Sequence, residues 1–230
     1  MTSTPIKIES FLANVPLFRE LAPDELDRIA AQTKTLRVER GSVLFQRGDP
    51  CDGFHVVVYG QVKLSFISTG GNEKVVDLLG PGQSFGEAVM FMEKPHVVTA
   101  QALADSMLLF VSKQAVFDEL ERDARFSRRI IAGLSQRLHQ LMGDLEGYSM
   151  HSGTQRVIGF LLRDEGADHA EDAPLEVTLP AAKGVIASRL NLTQEHFSRI
   201  LHDLAAAGLI EVRGRRIVIP DAERLRTYQP

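Results

Sequence analysis

Four side chains between residues 193 and 204 have the types and spacing to read the edges of nucleic-acid bases. Glu195, Ser198, Arg199 and His202 fall on one face of a helix with 3.6 residues per turn, while Phe197, Ile200, Leu201 and Leu204 fall on the other. A guanidinium fork can donate two parallel bonds to the O6 and N7 acceptors of guanine, and a carboxylate can accept from the N4 amine of cytosine. A small hydroxyl leaves room beside the thymine methyl. Thr193 and Gln194 stand just ahead of this set, and Thr193 reads as an N-cap whose hydroxyl accepts an amide of the first turn. The same polar face would also suit any solvated amphipathic helix, so the flanking chain must decide.

Upstream, residues 181–190 place apolar side chains at Val185, Ile186 and Leu190, which predicts a second short helix. Asn191 and Leu192 then form a turn, since Asn tolerates the left-handed conformation better than any residue but Gly. Helix, tight turn and helix make a helix-turn-helix, whose second helix enters a DNA major groove. Downstream of Gly208, LIEVRGRRIVIP predicts a hairpin with Arg213, Arg215 and Arg216 at its tip, placed to lie against phosphates. The chain as a whole carries a net charge of −4, which argues against a nucleic-acid binder. Residues 177–219, however, hold six basic side chains against three acidic ones, so the reading surface is locally positive.

The stretch KGVIASRLNLTQEHFSRILHDLAAAGLIEVRGR resembles the DNA-binding module of the Crp/Fnr superfamily of bacterial transcription regulators. Glu195, Ser198 and Arg199 match the E-x-x-S-R reading residues of its Fnr-like members. The resemblance implies an inverted repeat of TTGAT-like half-sites in double-stranded DNA, and contact with RNA polymerase through residues that it does not identify.

The first half of the chain is punctuated differently. Gly41, Gly48, Gly60, Gly71, Gly80 and Gly82 separate short β-rich runs such as FHVVVY, VKLSFI and KVVDLL, which predicts a β-sandwich or jelly roll. In VKLSFI, Val62, Leu64 and Phe66 alternate with Lys63 and Ser65, the period of a strand with one buried face. Short helices are expected from about Ser10 to Gln32, with Pro23 at a first helical position.

The glycine pattern ending in LGPGQSFGEAVMF resembles the cyclic-nucleotide-binding roll of the same superfamily, which extends the resemblance over nearly the whole chain. In nucleotide-binding members the equivalent of Gly86-Glu87 holds the ribose phosphate, and an Arg-Ser pair neutralises it. Here His96-Val97 stands in place of that pair, and Leu141 and Met142 occupy positions that in the cyclic-AMP receptor offer hydroxyls to adenine. A buried phosphate without a permanent cation is poorly compensated, so no cyclic AMP binding is expected.

Other chemistry is limited by the residues present. Cys51 is the one cysteine, which excludes an internal disulfide and a cysteine-ligated iron–sulfur cluster. His55 and His96 are the histidines of the roll, too few for a cupin-type metal enzyme, so an enzyme is not expected. Within the superfamily, FGEAVMFMEKPHVVTAQAL and RLHQ look most like the Dnr branch, which implies haem sensing of nitric oxide with His96 or His139 as candidate ligands. The N-terminal histidines of that branch are replaced by Asn14-Val15-Pro16, so ligation there does not transfer.

Ile131, Leu134, Leu138, Leu141, Leu145 and Tyr148 are spaced 3, 4, 3, 4 and 3, an a/d seam that predicts a helix pairing with its copy in a homodimer. His151-Ser152-Gly153 follows as a hinge, and residues 164–174 form an acidic loop. The expectation is an α+β chain with a sensor β-roll over 1–118, a dimerisation helix over 119–150 and a winged helix-turn-helix over 151–230. Without a signal peptide pattern or an apolar run of membrane length, the expected location is the cytoplasm, away from membranes. Two functions remain: a DNA-binding regulator set by an effector in the roll, or a ligand-sensing signalling module whose winged helix contacts protein.

Overall fold

The computed structural model describes residues 7–15, 17–18, 21–68, 70–135, 138, 152–162 and 174–228 of the 230-residue chain. The chain divides into two compact units, residues 1–142 and 143–230.

The first unit opens with α1 (Ile8–Leu12) and α2 (Pro23–Ala31). Pro23 occupies the first turn of α2, where a missing amide costs nothing, and the Glu25 carboxylate accepts from the Ala22 amide at 2.7 Å to close that turn. Eight strands follow: β1 (Thr33–Val38), β2 (Val43–Phe45), β3 (Gly53–Tyr59), β4 (Val62–Ile67), β5 (Glu73–Leu79), β6 (Ser84–Phe85), β7 (Thr99–Ala102) and β8 (Ser106–Ser112). They form two antiparallel sheets, ordered β1-β8-β3-β6 and β2-β7-β4-β5, with the short α3 (Glu87–Phe91) between β6 and β7. Phe45, Val62, Leu79 and Ala100 of one sheet pack with Val57, Phe85 and Leu108 of the other, so the interior of a jelly roll lies between them.

Ser112 caps α4 (Lys113–Arg122), its hydroxyl accepting the Ala115 amide. The helix breaks at Asp123, whose extended backbone and carboxylate bond to the Arg125 amide start a new helix, α5, over 124–135. The segment expected to be one helix from 119 is therefore two helices meeting at Asp123. Phe54, Val56, Leu109 and Val111 point away from the roll interior and pack against Leu12, Phe18, Ile29, Val116, Phe126 and Ile130 of the surrounding helices and turns. Two ion pairs reinforce this layer. Arg28 of α2 grips Glu119 of α4 with both Nε (2.7 Å) and Nη2 (2.8 Å), and Arg129 of α5 donates to Glu25 at 2.5 Å.

Strand β4 buries more of its polar face than the alternation in its sequence suggests. Lys63 and Ser65 are buried, both bonding to Glu73, while Phe66 and Ile67 are exposed. A bulge lies across from it: Leu64 faces Asp77 but Ser65 faces Val75, so Val76 is an extra residue on β5, while β4 keeps its register with β7 and Val62 and Leu64 stay in the core between the sheets.

The roll interior holds one polar side chain that it does not satisfy. His55 lies across from Phe110 and Phe85 in the strand ladders, with its ring 5.1 Å from each. It is buried, and among the described residues nothing hydrogen-bonds its Nδ1. An unmet buried group of this kind costs about 1–3 kcal/mol.

The second unit begins with α6 (Gly153–Leu161), closed by a reciprocal box in which Gln155 N–H donates to Ser152 Oγ and Ser152 N–H to Gln155 Oε1. Gly153, expected in a hinge, is thus the first residue of a capped helix; His151 lies outside the described residues. Then come β9 (Leu175–Thr178), α7 (Lys183–Arg189), α8 (Gln194–Ala206), β10 (Glu211–Arg213), β11 (Arg216–Ile219) and α9 (Ala222–Arg226), with a sheet ordered β10-β11-β9. The predicted hairpin is present and gains β9 as a third strand, one that the sequence reading did not find. Val157, Leu161, Leu179, Ile186, Ile217, Ile219 and Leu225 are buried around α8.

Two outcomes test these local arguments. Asn191, between α7 and α8, has φ 57°, so Asn191→Ala should destabilise the second unit by about 1 kcal/mol in denaturant titrations, and Asn191→Gly by less. Burial, with a smaller contribution from His96, pushes the His55 imidazole down from 6.5 to about 4. Between those pH values the unfolded chain binds a proton that the folded roll excludes. The contribution of neutral His55 is complete above pH 6.5 and falls by up to about 3 kcal/mol as pH drops through the window. His55→Phe should remove that part of the pH dependence in denaturation curves taken across it.

Candidate nucleic-acid interface

The structure brings the predicted reading residues together on α8. Thr193 has extended backbone angles and its hydroxyl accepts the His196 amide at 3.2 Å, so the helix starts where the sequence placed it. Phe197, Ile200, Leu201 and Leu204 are all buried, and at roughly 1.5–3 kcal/mol each this face fixes the rotation of the helix. Glu195, Arg199 and His202 are consequently exposed, and Ser198 is half-buried between them. Among the described residues no hydrogen bond or ion pair engages Glu195, Arg199 or His202. They form an uncommitted row of one acceptor, one forked donor and one imidazole.

The neighbouring element sets that row at the end of a tight turn. Leu192 donates to Ala187 O at 2.9 Å, and Asn191 in the left-handed region lets the chain reverse between α7 and α8. Gln194 is exposed at the start of α8, and its Oε1 lies 2.7 Å from the place a Cβ on Gly184 would occupy. Glycine at 184 leaves room for that amide. The spacing of Gly184 and Gln194 carries no signal for such a contact until the turn geometry is known.

The wing is likewise more committed than its sequence suggests. Arg213 pairs with Glu211 at 2.7 Å and Arg216 with Glu176 at 3.4 Å, both exposed. Pairs of this type are worth about 0–1 kcal/mol, so either arginine can exchange its carboxylate for a phosphate at little cost. Arg215 instead donates to the carbonyls of Leu179 and Pro180 at 2.8–3.1 Å, binding the hairpin to the loop ahead of α7. It anchors the wing and is not a free tip charge.

The residues nominated in the roll separate into different roles. Gly86, with φ 97°, precedes α3, and Ser84 donates to Glu87 at 3.2 Å within that turn. His96 is buried with its ring stacked on Phe45, centroids 3.5 Å apart and planes 8° from parallel. Val97 points the other way and is about half exposed. His55, which the sequence reading did not nominate, lies opposite Phe110 and so in the same interior. Ile131 on α5 and Leu138, a helical residue beyond that range, are 62% and 60% exposed, whereas Leu134 packs against the unit's own core. Leu141, Met142, Leu145, Tyr148 and His139 lie outside the described residues. Among the described residues no helix is long and apolar enough to cross a membrane, and no group of three or more His, Cys, Asp or Glu could hold a metal.

Comparisons with known proteins agree with this division. Residues 35–123 match the family profile described as a cyclic nucleotide-binding domain, and residues 155–228 the one described as a Crp-like helix-turn-helix domain. A putative cyclic nucleotide-binding protein of Ruegeria pomeroyi is 33% identical, with 96% of each chain covered and a TM-score of 0.71. The structure of DNR from Pseudomonas aeruginosa is 32% identical over 99% of this chain and 100% of that one, with a TM-score of 0.57. A CRP-like cAMP-activated global transcriptional regulator of Mycobacterium tuberculosis is 24% identical, covering 95% of this chain and 98% of that protein. A sensor roll, a helix-turn-helix with a hairpin wing, and full-length likeness at a third identity lead to one conclusion: the chain belongs to the Crp/Fnr family of transcription regulators, and is not an enzyme.

Proposed function

We infer that the chain acts as a homodimer that binds an inverted repeat of TTGAT-like half-sites in double-stranded DNA, with its affinity set by an effector in the roll. The observation that carries this reading is the uncommitted row of Glu195, Ser198, Arg199 and His202, held outward by the buried face of α8. In a major groove Arg199 would supply the bidentate contact to guanine and Glu195 the acceptor for cytosine, while Thr193 and Arg213 approach phosphates. Exposed Ile131 and Leu138 support pairing of two copies along α5, which would place two reading helices about one turn of DNA apart (~34 Å). The division we propose is a roll over 1–118, a dimerisation segment over 119–150 and a DNA-binding part over 151–230. Contact with RNA polymerase and a cytoplasmic location follow from the family.

The effector is not a cyclic nucleotide in this reading. Pro95-His96-Val97-Val98 offers no permanent cation, the His96 ring is occupied by Phe45, and Val97 faces away. The likeness to DNR supports the Dnr branch, for which the sequence resemblance implies haem. His96 is buried with a ring face against Phe45, a contact that does not engage its in-plane nitrogens, and we assign it no ligand role.

The test is a gel shift with a TTGAT inverted repeat and a scrambled duplex over a salt series. Arg199→Ala should weaken the specific complex by about 1–3 kcal/mol while leaving the salt-sensitive binding to scrambled DNA nearly unchanged. Equal loss on both duplexes would remove base reading from Arg199, and no binding to either would leave the winged helix as a protein-contacting surface.

A further inference from the structure

Five rings meet inside the roll: Phe45 on β2, His55 on β3, Phe85 on β6, Phe110 on β8 and His96 on the loop after α3. Two features set this cluster apart from an ordinary core. The His96 ring lies parallel to Phe45 at 3.5 Å, so the interior already holds one uncharged planar heterocycle by stacking. His55, 7% exposed and in ring contact with Phe45, Phe85 and Phe110, keeps a buried Nδ1 without a described hydrogen-bond partner.

We propose that the roll takes an uncharged, planar heteroaromatic effector, which stacks on Phe45 in place of the His96 ring and bonds through its polar edge to His55 Nδ1. The proposal rests on the reading of the roll as the effector site and names the ligand class. His96 is suited to give way. Its backbone is pinned, with Gly48 N–H donating to its carbonyl at 2.8 Å and its own N–H to Asp49 O at 2.9 Å, so only the side chain has to turn. Residues 94–98 form no helix or strand, and the neighbouring Val97 is already at the surface.

The absence of charge follows from the surroundings. Burial keeps both imidazoles below their usual range, and the carboxylates of Asp49 and Asp52 act on His96 from the adjoining loop. An anion would meet these carboxylates without a permanent cation, and a cation would lose its hydration against three phenyl rings. A neutral imidazole can present either an N–H or a lone pair at Nδ1, so His55 can meet a donor or an acceptor on the ligand.

The experiment titrates the full-length protein with indole and with indene, which has the same two-ring shape and no N–H. The chain contains no tryptophan, so indole fluorescence reports its binding directly and indene is read by competition. Saturable indole binding at least tenfold tighter than that of indene is expected, with His96→Ala tightening both and His55→Phe reducing indole to the level of indene. His55→Leu gives the same reading should the phenylalanine variant misfold. The proposal is overturned if neither the wild type nor His96→Ala binds indole saturably, if the preference for indole survives the loss of His55, or if cyclic AMP displaces indole. Gel shifts of both variants on the TTGAT repeat separate a failure of the ligand class from a failure of the DNA reading, since neither residue lies in the DNA-binding unit.

Discussion

The burial of one stripe of α8 is the constraint on which the DNA-facing chemistry depends. Phe197, Ile200, Leu201 and Leu204 leave the helix a single stable rotation, and that rotation aims Glu195, Arg199 and His202 at solvent. The turn at Asn191 then fixes where the N-terminal half of the helix stands relative to α7. Arg215 ties the wing to the same loop through two backbone carbonyls. Specificity in such a surface comes from fixed geometry, because a forked donor discriminates between bases only when it arrives at one angle.

In the first unit a comparable role falls to β3 and β8. Their inward residues, His55, Val57, Leu108 and Phe110, line the roll, and their outward residues, Phe54, Val56, Leu109 and Val111, carry α4 and α5. A ligand that moved the inward rings would press on strands whose other face supports the helices. Close packing transmits such displacements, and a ligand shifts the equilibrium only by the difference in its affinity for the two arrangements.

Much of this was legible in the residues. Apolar spacing gave α8, the asparagine gave its turn, and the glycines gave the roll, since Gly41, Gly48, Gly60, Gly71 and Gly82 all have positive φ. What escaped was set by geometry between elements. The bulge opposite Leu64 and Ser65 puts an extra residue, Val76, into β5, and no local pattern announces it. β9 is four residues long and gains its strand character from pairing with β11. Arg215 looked like a free tip charge until the backbone carbonyls it touches were in place. His55 looked like a strand residue of no consequence until Phe85, Phe110 and the His96 loop closed around it.

The central claim is that one face of α8 lies against base edges, twice per dimer. It is tested most directly by a cleavage reagent placed on that face. In a Cys51→Ser background, which removes the one native thiol, Ser198→Cys can carry a copper–phenanthroline tether while bound to an inverted-repeat duplex. The account predicts strand cleavage confined to the two half-sites, with centres about ten base pairs apart. Cleavage spread evenly along the duplex, or none from a complex that still shifts in a gel, would contradict it.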